Sequence, residues 1–408
     1  MDKKYLNQWS IYFFYLSIAI YPLNVLLSLS LKLLGLDFVA ARTIFICYAL
    51  VFLFAIVLLI IFPISLKRVV SLFFIYILYF ILYWTTPSVM QEKYFGVQLL
   101  MIYTFYLPYA VLILSRINDF SLLFSSRFIT IVNYFIIIGS FVAKYVFNES
   151  IGYMPYSYNL LPIWLLFSFH FIERPSLGKL GIALIMFLEG IIYGARGPLI
   201  WLAVGSVAYS ILHYREKKKE LKISIIGFVR FLLFVGVVTG FILLLFRLLS
   251  SVDAPTSYIL SRFDNGVISE SKGRNSLTET ALQYLGEMGG AVNGLFFDRT
   301  IMPGRVYVHN LILETYLDFG WIIGSVILGG LFYFIGRTFQ LASFTNKKMM
   351  FFLLSSFFLK YSLTGSIYED YQFIVFLSLI VAIYKQEKPD KFVVYERSQS
   401  RKPHRNSI

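Results

Sequence analysis

An all-α, polytopic membrane fold is what this sequence predicts, on three observations: 58% of its 408 residues are apolar, 19% are aromatic, and the mean hydropathy is +0.74. A soluble globule needs a polar coat, and 14% charged residues supply too little of one, so the natural solvent is lipid. The apolar residues also come in continuous helix-length runs and do not alternate with a period of two, which excludes a membrane β-barrel.

A helix needs about 20 apolar residues to cross the bilayer core. Runs of that kind lie at 9–29, 43–62, 69–86, 95–114, 128–147, 157–172, 177–194, 198–213, 223–246, 320–336, 350–366 and 371–384, so about twelve transmembrane helices are expected. The first run has no small-residue cleavage site behind it and reads as a retained helix, not a signal peptide. Rings crowd several run ends, among them Trp9, Tyr83, Trp84, Tyr106 and Tyr109, as expected at headgroup level. The lone cysteine, Cys47, sits inside an apolar run, so neither an internal disulfide nor a cysteine metal site is available.

Basic residues set the orientation. With the N-terminus inside, most of the 36 lysines and arginines fall in cytoplasmic segments: Lys67 and Arg68, Arg116 and Arg127, Arg174 and Lys179, the cluster from Arg215 to Lys222, Lys347 and Lys348, and the tail. A multi-pass protein of the cell membrane with both termini cytoplasmic follows. The net charge of +14 is then mostly topology and gives no cause to expect nucleic acid as a partner. Residues 1–385 read as a single transmembrane domain and 386–408 as a basic, disordered cytoplasmic tail, poor in apolar residues.

One outer connection, from about Ser250 to Asn310, is several times longer than any other, and long loops are usually functional or disordered. Within it Ser276-Leu277-Thr278-Glu279 reads as a capping box. Behind the box Leu277, Ala281, Leu282, Leu285 and Met288 share one helical face. An amphipathic helix near 276–288, lying on the outer membrane surface, is expected; a loop helix that packs on the bundle is the alternative.

Charges in or beside spans cost about 2.5 to 3.5 kcal/mol each on insertion scales and default to functional hypotheses. They are Glu189, Arg196, Arg230, Glu314, Asp318, Lys360, Glu369 and Asp370, and snorkelling accounts for Arg230 near its helix end. Gly194-Ala195-Arg196-Gly197-Pro198 reads as a tight outer turn, with Pro198 suited to the first turn of the next helix. Arg196 there either complements the preceding helix dipole or holds an anion at the membrane surface. Of four histidines, His170 and His213 lie at cytoplasmic helix ends, His404 is in the tail, and His309 alone faces outward. Arg299 and Arg305 lend His309 an electropositive setting that favours the neutral imidazole of a general base, although a histidine at a helix start also caps or packs. No metal-ligand spacing, P-loop or dinucleotide fingerprint is present, so neither a metal nor a cofactor is expected.

About twelve spans, one large late outer loop, Gly194 to Pro198 opening a span, Gly273 to Met288 in the loop, and His309-Asn310 separated by nine residues from Gly320 occur together. In this combination the chain resembles the O-antigen polymerase and ligase superfamily, and more narrowly its Wzy-type repeat-unit polymerases. The family often carries a second glycine three positions on; here Ile323 holds that place and Gly324 follows. The resemblance implies a GT-C-like fold that moves a growing glycan from undecaprenyl pyrophosphate onto a newly flipped lipid-linked repeat unit at the outer face. It implies that Arg196 and Arg274 hold pyrophosphate and that His309 is the base. Arg299, Arg305 and Asn310, beside His309, complete the expected substrate-binding set. The lipid-linked glycans and the bilayer are the implied partners, with a flippase and a chain-length regulator alongside.

The residue types suit such chemistry. Pyrophosphate leaves without a general acid if its charge is stabilised, and arginine's planar fork does this bidentately. A sugar hydroxyl needs a base, so one base with two or more arginines suffices, and direct displacement inverts the anomeric centre. Two alternatives stay open: a ligase that delivers finished glycan to another acceptor, which shares these residues, and a flippase or other transporter. Transporters of this size usually show internal repeats and interrupted midplane helices, which this sequence does not display.

Overall fold

The computed structural model describes residues 3–61, 64–85, 106–147, 153–192, 196–220, 272–288, 290–302, 307–362, 365–368 and 370–388, and all statements below concern these. Among them there is no β-strand. The helices are α1 (Lys3–Leu33), α2 (Asp37–Ala40), α3 (Thr43–Ile61), α4 (Leu66–Thr85), α5 (Leu107–Leu112), α6 (Ser121–Ser125), α7 (Arg127–Tyr145) and α8 (Tyr153–Glu173). They continue with α9 (Leu177–Ile192), α10 (Arg196–Glu220), α11 (Lys272–Met288), α12 (Asp298–Ile301), α13 (Leu311–Leu341), α14 (Phe344–Leu353) and α15 (Tyr371–Glu387).

Five of them, α1, α3, α7, α10 and α13, are long and apolar enough to cross a membrane. Helices also occupy the runs expected at 157–172 and 371–384, and the described parts of those at 69–86, 95–114, 177–194 and 350–366. The run at 223–246, with Arg230, lies outside the described residues, as does the tail beyond Lys388. Helix α3 shows why lipid is the solvent: only 6% of its apolar window is buried, and Phe45 and Ile60 are 70% and 77% exposed. Water would penalise such a surface, whereas hydrocarbon does not.

The core runs through α1, α7, α8, α10, α14 and α15, and its largest members are aromatic: Phe13, Phe14, Trp164, Phe167, Tyr209 and Phe357 are all essentially buried. Rings meet edge to face, as Phe13 does with Tyr109 at 4.9 Å, or stacked, as Phe169 does with Tyr209 at 4.3 Å. Side-chain caps set three helix starts: Ser126 accepts from the Ile129 N–H, Asn310 from Ile312 and Leu313, and Asp370 from Gln372.

Polar contacts sort the connections onto two ends of the bundle. At one end the Asn7 side chain donates to the Asp119 carbonyl and accepts from Asn118, Gln386 donates to the Ile117 carbonyl, Asn346 donates to Glu387, and Lys348 pairs with Glu173. Helices α1, α8, α13 and α15 therefore have their other ends together, which brings 34–42, 290–302, 307–310 and 365–368 to the opposite end. The connections beside Arg116, Arg174 and Lys348, expected on one side from their basic residues, are among those that meet at the first end.

The long connection departs from expectation in one respect. Helix α11 starts at Lys272, so Ser276 lies inside it and the segment Ser276 to Glu279 is no capping box. Its apolar face is buried on protein: Leu277, Ala281 and Leu285 pack with Met302, Val308 and Leu317, while Leu282 is 52% exposed.

Candidate functional site

Helix α13 is broken at Gly320, whose φ of 68° and ψ of 174° lie outside the helical region. The break leaves a short outer segment, 311–319, and a long apolar one, 321–341. A side chain at 320 is forbidden twice, by the backbone region and by space, because a Cβ there would sit 2.6 Å from the Ala291 carbonyl oxygen. The carbonyls orphaned at the break find donors in the returning loop: the Leu317 carbonyl accepts from Asn293 Nδ2 at 2.8 Å, and that of Asp318 from the N–H groups of Asn293 and Gly294 at 2.9 and 3.0 Å. Four residues on, Gly324 lets the Tyr316 ring lie against the long segment, since a Cβ there would come within 2.7 Å of it. The glycine one place later than in the resembled family thus has a packing role here.

The outer segment projects two carboxylates one turn apart into a buried cluster. Asp318 accepts from the N–H groups of Phe296 and Phe297 at 3.2 and 3.0 Å, folding the turn before α12 against α13. Glu314 accepts from Arg299 at 3.2 Å and from the Ser366 hydroxyl at 2.5 Å. Asp298 takes the other share of Arg299, with Nη1 at 2.5 Å, and accepts from the Val308 N–H at 3.0 Å. All four ionisable side chains are buried, and Arg299 is fully so. Burial pushes the Asp298 carboxyl up, against the opposing pull of Arg299 and the Val308 N–H. Arg299 and Glu314 together therefore join three stretches of chain: the guanidinium ties α12 to the outer segment of α13, and the Glu314 carboxylate ties that segment to the loop before α15.

His309 stands at the edge of this clasp. Its φ is 57°, in the left-handed region that disfavours side chains, and Phe296, on the other side of Arg299, has a φ of 62°. His309 is partly exposed, although its Nδ1 is buried, and its ring lies against Tyr307, centroids 4.1 Å apart. The Arg299 guanidinium lies over Phe296 at 4.7 Å and near Tyr307 at 5.6 Å. Asn310, the next residue, has its amide oxygen engaged as the N-cap of α13. A neutral imidazole so placed has a nitrogen lone pair with which to take a proton, and the turn that carries it is fixed on both sides.

Arg299, one of the expected substrate-binding residues, lies inside the protein. Its guanidinium pairs with Asp298 and Glu314 and is fully buried. Asn310 has a capping role that accounts for its oxygen. Arg196 opens α10 and Arg274 lies in the first turn of α11, both within helices whose positions are described although those two side chains are not. Arg305 lies outside the described residues.

Sequence spacing alone missed the carboxylate cluster, because Asp298 and Glu314 are joined only when the loop folds back. No group of three or more His, Cys, Asp or Glu among the described residues is arranged to hold a metal ion. Of the other charges expected in spans, Lys360 pairs with Asp370 and Gln372, and buried Glu189 accepts from the Tyr156 hydroxyl, while Glu369 lies outside the described residues. No family model, curated protein or solved structure matches the chain.

Proposed function

We propose that the chain is a membrane glycosyltransferase that polymerises undecaprenyl-pyrophosphate-linked oligosaccharide repeat units at the outer face of the cytoplasmic membrane. One observation carries the reading: a partly exposed histidine, held on a left-handed turn by a buried ion-paired clasp, at the end of the bundle opposite the basic connections. Backbone strain of this kind costs about 1 to 3 kcal/mol and gathers where a side chain must be presented in one orientation. The positive-inside rule makes the basic end cytoplasmic, so His309 faces outward, where lipid-linked glycans arrive already activated.

In this reading His309 takes the proton of the acceptor hydroxyl as that oxygen attacks the anomeric carbon of the donor. The bond to pyrophosphate breaks, and the leaving group departs with the electron pair. Arg196, Arg274 and Arg305 hold the pyrophosphate charge, with Arg299 acting inside the protein instead. About twelve spans and a GT-C-like arrangement belong to the same proposal. Glycan length in a deletion strain tests it. Loss of polymer, with a single repeat still attached to its final acceptor, is the expected result; full-length lipid-linked polymer that is never transferred contradicts it and indicates a ligase.

A further inference from the structure

At the end of the bundle opposite the clasp, three elements bring cations together. Lys67 and Arg68 stand in the first turn of α4, Arg116 closes the short 3-10 helix Leu114–Arg116 that follows α5, and Lys385 lies in the last turn of α15. Helix α4 packs on α5, and α15 packs on both α5 and the 3-10 helix, where Gln386 Nε2 donates to the Ile117 carbonyl at 2.7 Å. The charge of Arg68 therefore acts on both Arg116 and Lys385, and that of Lys67 on Lys385.

The positive-inside bias accounts for basic residues at this end but not for their convergence, which costs like-charge repulsion. Helix α4 adds to that cost, because its first turn sets two cations and no carboxylate at the positive end of its dipole. Glu387, the carboxylate nearest Lys385 in sequence, turns to the start of α14 instead, accepting from the Ser343 N–H and from Asn346, both at 2.7 Å. No carboxylate among the described residues pairs with Lys67, Arg68 or Lys385. Lys67 and Lys385 are exposed and Arg68 is half-buried, so an anion from outside can reach all three, while Arg116 is buried. Lipid lies alongside: from Leu66 onward α4 carries exposed apolar side chains, Phe73 and Phe74 among them at 62% and 63%, a surface that suits acyl chains.

We propose that Lys67, Arg68 and Lys385 bind the phosphate of one anionic phospholipid whose acyl chains run along α4, with Arg116 adding its charge from inside the protein. Arginine's fork suits the phosphate oxygens, and the two lysines act as point charges beside it. Basic pockets between helices at a membrane surface take such headgroups. The site does not depend on the role of His309.

Native mass spectrometry of the full chain, released from detergent after titration with lipid, tests the site. The probe is dioleoyl phosphatidylglycerol, with dioleoyl phosphatidylcholine as the zwitterionic control and inorganic phosphate as the soluble anion. Preferential retention of one phosphatidylglycerol is expected. Arg68→Gln and Lys385→Gln should each weaken it about five-fold, which corresponds to about 1 kcal/mol, the contribution of one basic residue at a charged leaflet. Lys217→Gln, which removes an exposed cation at the same end on α10, should retain the lipid as the wild type does. Melting temperature without added lipid should hold or rise in Arg68→Gln and Lys385→Gln, which relieve repulsion, and phosphatidylglycerol should raise it more in the wild type than in either variant. Equal retention of the two phospholipids, undiminished retention in both variants, or an equal loss in Lys217→Gln overturns the proposal. So does displacement of phosphatidylglycerol by inorganic phosphate, which indicates a soluble anion, or a lowered melting temperature in both lipid-free variants, which assigns these cations to the fold.

Discussion

His309 keeps a side chain where glycine would be at ease, and a residue retained against backbone preference separates function from stability in a testable way. His309→Gly relieves the left-handed strain, so the purified variant should melt at or above the wild-type temperature, the gain being about 1 kcal/mol, while polymer formation is lost. A clear drop in melting temperature would mean that the imidazole is a packing group. Arg299 makes the opposite case. Arg299→Met leaves Asp298 and Glu314 buried without their cation, and breaking a buried pair in this way typically costs about 3 to 5 kcal/mol. Thermal unfolding in detergent should show that loss; an unchanged melting temperature would remove Arg299 from the clasp.

Elements explain why some of the site was legible in sequence and some was not. The spacing from His309-Asn310 to Gly320 marks a real unit: the cap that starts α13 and the break that ends its outer segment. Glu314 and Asp318 one turn apart could be read from helical period, but their partners come from residues 293–299 and 366–367, which no local pattern brings together. The capping box failed because α11 begins four residues earlier, and Ser276 has no privileged place once tertiary packing of Leu277, Ala281 and Leu285 sets the helix. Gly320→Ala tests the broken helix. It demands a forbidden backbone conformation and a Cβ 2.6 Å from a carbonyl oxygen, so it should destabilise by more than about 2 kcal/mol and release the 290–302 segment to proteolysis. Wild-type protease resistance would contradict the description of the break. At the basic end, Glu173 couples α8 to α14. Burial pushes its carboxyl up, but the hydrogen bond and charge of Lys348, with the Tyr209 hydroxyl, outweigh burial and hold it below its ordinary value. A depressed carboxyl stabilises the fold above its unfolded pKa and loses that contribution as pH falls through the folded one. Melting temperature should therefore fall as the solution is acidified below the ordinary carboxylate range, and less steeply in Glu173→Gln.

For the molecule as a whole, composition settled the solvent and helical class, and basic residues predicted which connections share an end. Both follow from pervasive properties of the chain, whereas the clasp depends on a few contacts distant in sequence. Sidedness can be tested directly in a Cys47→Ser background. Thr300→Cys, exposed beside the clasp, should react with an impermeant thiol reagent in cells whose cytoplasmic membrane is intact, and Lys217→Cys only after that membrane is permeabilised. The reverse pattern would invert the map and remove His309 from the outer face. The central claim is that a base at position 309 drives glycosyl transfer between lipid-linked repeats, and elongation of purified lipid-linked repeat units by the wild type and His309→Gln measures it most directly. Glutamine keeps a hydrogen bond but takes no proton at neutral pH, and a general base typically contributes 10²- to 10⁴-fold. Elongation by the wild type and a loss within that range in the variant are expected; a variant that retains more than about a tenth of the wild-type rate, above what the loss of a base allows, removes His309 as the base.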